Sequence, residues 1–284
     1  MLSILIPTYN YNSVPLVQEL EKQCIECDIN FEILVYDDGS NSNLNTTNNS
    51  INKLKNCTFK PLLENIGRSA IRNLLAKNAK FDSLIFIDSG TFPKKKNFIQ
   101  QYINLSNDVV NGGMTFTDST PDKPYLLRWI YTKHRESKSL CSSNFLIKKT
   151  VFEKHPFDES IKTYGCEDTL LFNNLKKSNI DIIKIENPVI HFPDDDATTF
   201  IKKTEQAMFN LSTLYKAKKI STKEHKFLLF YSRIKKVKLL NLTIFMFKIL
   251  KPLLLKNLLA NKPKLWIFDF YRFGYICALN KKND

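Results

Sequence analysis

Acidic residues in this chain fall into short clusters that can do chemistry: Asp37-Asp38, Asp88, Glu167-Asp168 and Asp194-Asp195-Asp196. A carboxylate accepts hydrogen bonds from ligand N–H and hydroxyl groups, and one held near neutrality takes a proton as general base. Asp38 can accept a hydrogen bond from a ligand N–H, while Asp37 can cap the turn that follows. Asp168 is the candidate base, although acidic residues also open helices simply as caps. Arg68 and Arg72 are one helical turn apart and so can share a face. A guanidinium there suits a phosphate, and the plainer alternative is an ion pair with Asp37 or Glu64. His191, ending a short apolar run, is a candidate metal ligand. The acidic triplet reads as a helix entry, with Asp196 capping a helix from Ala197.

These residues need a frame. Leu2–Pro7, Phe31–Tyr36 and Ser83–Ile87 are apolar, β-branched runs of buried-strand length, and residues 57–63 suggest another strand. Helical spacing over residues 13–26 and 67–79 separates them, and the tract 41–52 reads as a loop with a short helix. Strands alternating with helices imply an α/β fold with a mostly parallel central sheet. Ligands bind such sheets beyond the carboxyl ends of the strands, where Pro7-Thr8-Tyr9, Asp37-Asp38 and Asp88 all fall. Further on, 108–116 reads as a strand pair turning at Gly112-Gly113. Residues 118–140 read as loop, 144–148 as a strand, 167–177 as a helix and 181–191 as one or two short strands. From 197 onward the chain reads as helical.

The ordered set Ser3-Ile-Leu-Ile-Pro-Thr-Tyr-Asn10, Val35-Tyr-Asp-Asp-Gly-Ser40, Asn65-Ile-Gly67 with Arg72-Asn73, Ile85-Phe-Ile-Asp88 and Gly165-Cys-Glu-Asp168 resembles the family 2 glycosyltransferases. Tyr164-Gly165 and Asn187-Pro-Val-Ile-His191 look like the branch that builds bacterial surface polysaccharides. The resemblance implies a GT-A fold over about residues 1–200. It also implies inverting transfer of a sugar from a nucleotide donor, UDP-linked by expectation, to a glycan or lipid-linked glycan. On that basis Pro7, Thr8, Tyr9, Asp38, Arg68 and Asp88 line the nucleotide, and Asp168 is the base. Glu167 and Trp129 meet the acceptor, unless Trp129 fills the core. The family places an Asp-x-Asp at Asp88, whose last carboxylate holds Mn²⁺ or Mg²⁺ on the diphosphate. Here that last position is Gly90. Three readings stay open: Asp88 with His191 holds the metal, basic residues such as Lys133, His134 or Arg135 replace it, or the chain is a catalytically degenerate GT-A-like partner protein.

Charge divides the sequence. Residues 1–201 carry 23 Lys/Arg against 24 Asp/Glu, and residues 202–284 carry 19 against 4, so the net charge of +14 belongs to the last third. That third is expected to be a basic helical extension over 201–284. The lysines and apolar residues of 235–256, with the aromatic run Trp266 to Tyr275, read as an interfacial anchor on an anionic membrane surface. A helical cap or a homodimer interface is the alternative. No nucleic-acid motif accompanies the charge. Six scattered cysteines, Cys24 and Cys27 with redox spacing among them, read as buried thiols in a reduced cytoplasm. Met1 leads straight into a strand, so no signal peptide is expected, and no apolar run is long enough to span a bilayer. The expected location is cytoplasmic, peripheral on the inner face of the cell membrane.

Overall fold

A computed structural model describes residues 1–281. In chain order the elements are β1 (Leu2–Thr8), α1 (Val14–Glu26), β2 (Phe31–Asp37), α2 (Leu44–Asn48), β3 (Cys57–Pro61), α3 (Arg68–Asn78), β4 (Ser83–Ile87), β5 (Thr91–Pro93), α4 (Phe98–Ile103), β6 (Val109–Asn111) and β7 (Met114–Phe116). There follow α5 (Lys123–His134), β8 (Asn144–Lys148), α6 (Lys149–Lys154), α7 (Glu167–Lys177), β9 (Ile183–Lys184), β10 (Val189–His191), α8 (Ala197–Lys216), α9 (Lys226–Lys236), α10 (Leu240–Leu258) and α11 (Leu265–Lys281).

Seven strands form one sheet in the order β3-β2-β1-β4-β8-β6-β9. Its first four are parallel, and β8 alone runs against its neighbours β4 and β6. Alternate residues of the same strands feed two cores. Ile4, Ile6, Ile33, Val35 and Ile85 pack with Leu16 and Leu20 of α1 and with Phe98 and Tyr102 of α4. Leu5, Leu34, Leu84 and Phe86 pack with Ile71 and Leu75 of α3, Phe152 of α6 and Phe172 of α7. Helices thus cover both faces, which is why these strands are predominantly apolar and do not alternate regularly with polar residues.

Two expectations need correction here. Val109–Asn111 and Met114–Phe116 are both strands, but they do not pair as a hairpin. β6 joins the large sheet, while β7 pairs with β10 in a separate three-stranded sheet, β5-β10-β7. The chain turns sharply at Gly112 because a Cβ there would stand 2.1 Å from the Tyr102 hydroxyl and 2.5 Å from Asn144 Nδ2. Residues 123–134, read as loop, are helix α5, and its proline is the second helical residue, where no backbone N–H is missed.

The chain separates into two compact units. The first holds residues 1–117, 132–162 and 167–192. The second holds 118–131, 163–166 and the described residues from 193 onward, so two short internal segments belong with the C-terminal helices. Asp196 caps α8 as the sequence suggests, accepting from the Thr199 N–H at 2.7 Å. In the second unit Phe200 stacks on Phe268, Tyr131 meets Phe268 edge-on, and the Arg272 guanidinium lies 4.7–5.5 Å from the rings of Phe227, Tyr131 and Phe268. The aromatic run expected on a membrane surface is therefore largely core: Phe268, Tyr271 and Phe273 are buried, and Trp266 alone of the run is exposed. Helices α10 and α11 touch through Gly274, where a Cβ would lie 2.4 Å from the Phe247 ring. Gly274→Ala is expected to lower stability by about 1–3 kcal/mol through overpacking, read as a drop in the thermal midpoint.

Candidate active site

The site begins where β1 and β2 end. The Asp38 N–H donates to the Thr8 carbonyl at 2.9 Å and locks the two strand ends together. Pro7 is half-buried opposite Tyr36, the Thr8 hydroxyl accepts from Ser13 Oγ at 3.1 Å, and Tyr9 projects outward, 58% exposed. Asp37 does cap its turn: its Oδ2 accepts from the Ser40 N–H at 2.9 Å and from Asn45 Nδ2 at 3.1 Å.

Asp38 is buried, and both of its oxygens serve the backbone. Oδ1 accepts from the Ile66 N–H at 2.8 Å and Oδ2 from the Gly67 N–H at 3.1 Å. Burial pushes its carboxyl up, against those two donors. The segment 64–67 lies against Gly39, whose positive φ and missing Cβ let the Glu64–Asn65 peptide pass where a side chain would sit 2.2 Å away. Asp38 thus shapes the loop ahead of α3, a structural duty the sequence did not reveal. Asp38→Asn leaves one of these two N–H groups without an acceptor, and is expected to lower stability by about 1–2 kcal/mol, read as a drop in the thermal midpoint.

Helix α3 then carries two arginines to two acidic motifs. Arg68 Nε lies 2.5 Å from Glu167 Oε1, and Arg72 Nη2 lies 2.5 Å from Asp88 Oδ1. Neither Asp37 nor Glu64, the ion-pair partners expected from the sequence, takes these positions. Arg72 is almost wholly buried, its Nη1 also donating to the Arg68 carbonyl at 2.8 Å, with Phe157 stacked 5.6 Å away. Burial would raise the Asp88 carboxyl, but Arg72 and Arg68, with Ser143, hold it below the usual carboxylate range.

Asp88 is further fixed through its backbone. Its N–H donates to the Ser143 carbonyl at 3.2 Å, and its own carbonyl accepts from the Thr91 N–H and hydroxyl at 3.1 and 2.7 Å. Thr91 stands opposite His191 in the small sheet, and Phe116 stands on the other side of His191. Lys133 lies 5.3 Å over the Phe116 ring, so it reaches the same corner, whereas His134 and Arg135 are exposed. The Asn144 side chain sets the 141–144 segment: its Nδ2 donates to the Gly113 and Asn187 carbonyls, and its Oδ1 accepts from Tyr102 at 2.6 Å. Sequence reading passed over Ser143 and Asn144, and a polar pair at the mouth of an apolar strand was the available signal.

Glu167-Asp168 opens α7, with Glu167 buried and Asp168 half-buried. Asp168 Oδ1 accepts from the Thr169 N–H at 2.6 Å. Burial, then the neighbouring Glu167 charge, push the Asp168 carboxyl up to about 7. Arg68 acts electrostatically on both Asp88 and Asp168, and both carboxylates act on the buried Cys141 thiol, which burial raises. One neighbourhood therefore contains an ionised carboxylate and a carboxylate poised near neutrality. Such a split marks acid–base sites.

For a divalent ion the donor set is thin. Gly90 supplies no side-chain oxygen, Asp88 Oδ1 is taken by Arg72, and among the described residues no three His, Cys, Asp or Glu gather as a metal-binding group. The residues present do not fit an ion held by protein ligands alone. Trp129, the proposed acceptor platform, is buried in the second unit at 7% exposure. None of the six cysteines is in a disulfide, and five of them are buried.

The family model for glycosyl transferase family 2 matches residues 3–156. Among solved structures, Staphylococcus aureus TarS 1-349 in complex with UDP is 17% identical with a TM-score of 0.51, covering 100% of this chain and 92% of that one. The same fragment in complex with UDP-GlcNAc is 18% identical with a TM-score of 0.50, covering 99% and 90%. A longer TarS structure is 21% identical with a TM-score of 0.50, covering 75% of this chain, which spans only 40% of that one. Among curated protein sequences none matches significantly.

Proposed function

Because the chain belongs to glycosyl transferase family 2 and is a glycosyltransferase of the GT-A fold, we propose that it transfers a sugar with inversion from a UDP-linked donor to a hydroxyl of a glycan or lipid-linked glycan. The nucleotide half of the proposal assigns Pro7, Thr8 and the exposed Tyr9 to the base and ribose, on the rim where β1 and β2 end. The UDP and UDP-GlcNAc complexes of TarS, a protein of the same fold, support a uridine donor.

The chemistry falls to Asp168. An acceptor hydroxyl gives its proton to the Asp168 carboxylate as its oxygen bonds to the anomeric carbon from the face opposite the leaving group. The anomeric C–O bond to the diphosphate breaks in the same step, and UDP leaves with that electron pair. A base with a pKa near 7 has the right balance between being ionised and being able to hold the proton. Glu167, held by Arg68, is assigned to the acceptor side, and Asp88, held by Arg72, to the ribose side.

The observation that carries this reading is the pair of ion bridges from one helix, Arg68 to Glu167 and Arg72 to Asp88, which ties the donor motif to the base motif. Calorimetry with UDP and GDP, followed by UDP release from UDP-sugars, tests it. UDP is expected to bind at least about tenfold more tightly than GDP. Equal binding, or none, would overturn the donor assignment.

A further inference from the structure

The C-terminal helices leave an apolar stripe that glycosyl transfer does not use. Along α10, Leu242, Phe245, Met246, Ile249 and Leu253 recur at helical spacing on the outer face, each between 43% and 64% exposed. The inner face, Phe247, Leu254 and Leu258, packs with Phe268 and Tyr271. The stripe is therefore a surplus over what the core of this unit needs. An uncovered row of five large apolar side chains on one helix marks an interaction surface.

Its surroundings specify the partner. From His225 to Phe268 the sequence has ten Lys/Arg residues and no Asp or Glu. Lys238, Lys248, Lys256, Lys262 and Lys264 are exposed on α10 and the segments flanking it. Lys251, by contrast, turns inward to Glu205 and the rings of Tyr271 and Tyr275. An apolar stripe bordered by cations, on a helix that carries no acid of its own, matches a surface of anionic headgroups over hydrocarbon. A second copy of the same face would set lysines against lysines. No helix among the described residues is long and apolar enough to cross a membrane, so α10 would lie in the membrane plane.

We propose that α10 is an in-plane membrane-binding helix, inserting the Leu242–Leu253 stripe into an anionic bilayer surface while its flanking lysines contact the headgroups. The proposal concerns the second unit alone and stands whether or not the donor is UDP-linked.

The test is co-sedimentation of the full chain with phosphatidylcholine vesicles, with and without phosphatidylglycerol. Binding to the anionic vesicles is expected to be at least about tenfold tighter and to weaken as salt is raised. Phe245→Glu/Ile249→Glu, two exposed positions, is expected to lose at least about tenfold of that binding, with UDP affinity and thermal midpoint unchanged. Lys248→Glu/Lys256→Glu is expected to remove the preference for anionic lipid. Failure of the wild-type chain to bind anionic vesicles would overturn the proposal, as would unchanged binding by the Phe245/Ile249 variant. A dimer dissolved by those substitutions, without vesicle binding, would assign the stripe to a second copy of the chain instead.

Discussion

Replacing Asp168 with Asn is expected to lower the rate of sugar transfer by about a thousandfold, the scale of a lost general base, and to change UDP affinity by less than about twofold. Asn keeps the oxygen that accepts from the Thr169 N–H, so helix α7 keeps its start. What it loses is the ability to take a proton. The same substitution carries a stability signature that distinguishes a poised carboxylate from an ordinary cap. Burial and Glu167 raise the folded-state pKa of Asp168 to about 7, whereas an unfolded Asp titrates near 4. Between those values the folded chain holds a proton that the unfolded chain has given up, so ionising Asp168 erodes stability as pH rises. Asp168→Asn should therefore be more stable than wild type above about pH 7, by roughly 1–2 kcal/mol after solvent screening. The difference should vanish toward pH 4. Denaturant midpoints at pH 5 and 8 check this. A variant that is less stable at pH 8 would mean Asp168 is a favourable cap and not a strained base.

Arg72→Ala is expected to be the most damaging single change in the site, destabilising by about 2–4 kcal/mol and lowering activity with it. Arg72 is buried and answers Asp88 at 2.5 Å, so its removal strands a carboxylate that is only 26% exposed. An abandoned charge, more than the lost bond itself, sets the cost of breaking a buried pair. The discriminating variant is Arg72→Ala/Asp88→Asn: with no charge left to strand, it should recover a good part of the stability without recovering transfer. The pH dependence runs opposite to that of Asp168. The Asp88 carboxyl is lowered in the folded chain, so its contribution is present above the unfolded value near 4 and is lost as pH falls through the folded value. The cost of Arg72→Ala should accordingly shrink in acid.

Much of the frame was legible because it is local. Leu2–Thr8, Phe31–Asp37 and Ser83–Ile87 are runs whose neighbours on both faces are helices, and a buried parallel strand has no other composition available to it. Asp37 as a turn cap and Asp196 as a helix cap were legible for the same reason, since a cap answers to residues two or three places away. What failed was long-range. The Gly112-Gly113 pair carries the composition of a hairpin turn, but Tyr102, Asn144 and Asn187 make it a crossing between two sheets. The arginines of α3 had Asp37 and Glu64 as plausible partners, yet the fold brings Asp88 to Arg72 and Glu167, 99 residues on, to Arg68. In the C-terminal helices, composition announced a basic apolar surface but could not say which apolar residues face inward. The structure sends Phe268, Tyr271 and Phe273 into the core and leaves the α10 stripe outside.

A carboxylate poised near neutrality that drives transfer from a uridine nucleotide sugar leaves its mark on the pH dependence of turnover. The most direct measurement is the rate of UDP release from UDP-sugars between pH 5 and 9, for the wild-type chain and for Asp168→Asn. The expected result is a wild-type rate that climbs with pH through a midpoint near 7, where Asp168 ionises, and a variant rate that is low and flat. A wild-type rate without that limb, or a variant that retains it, would contradict the assignment.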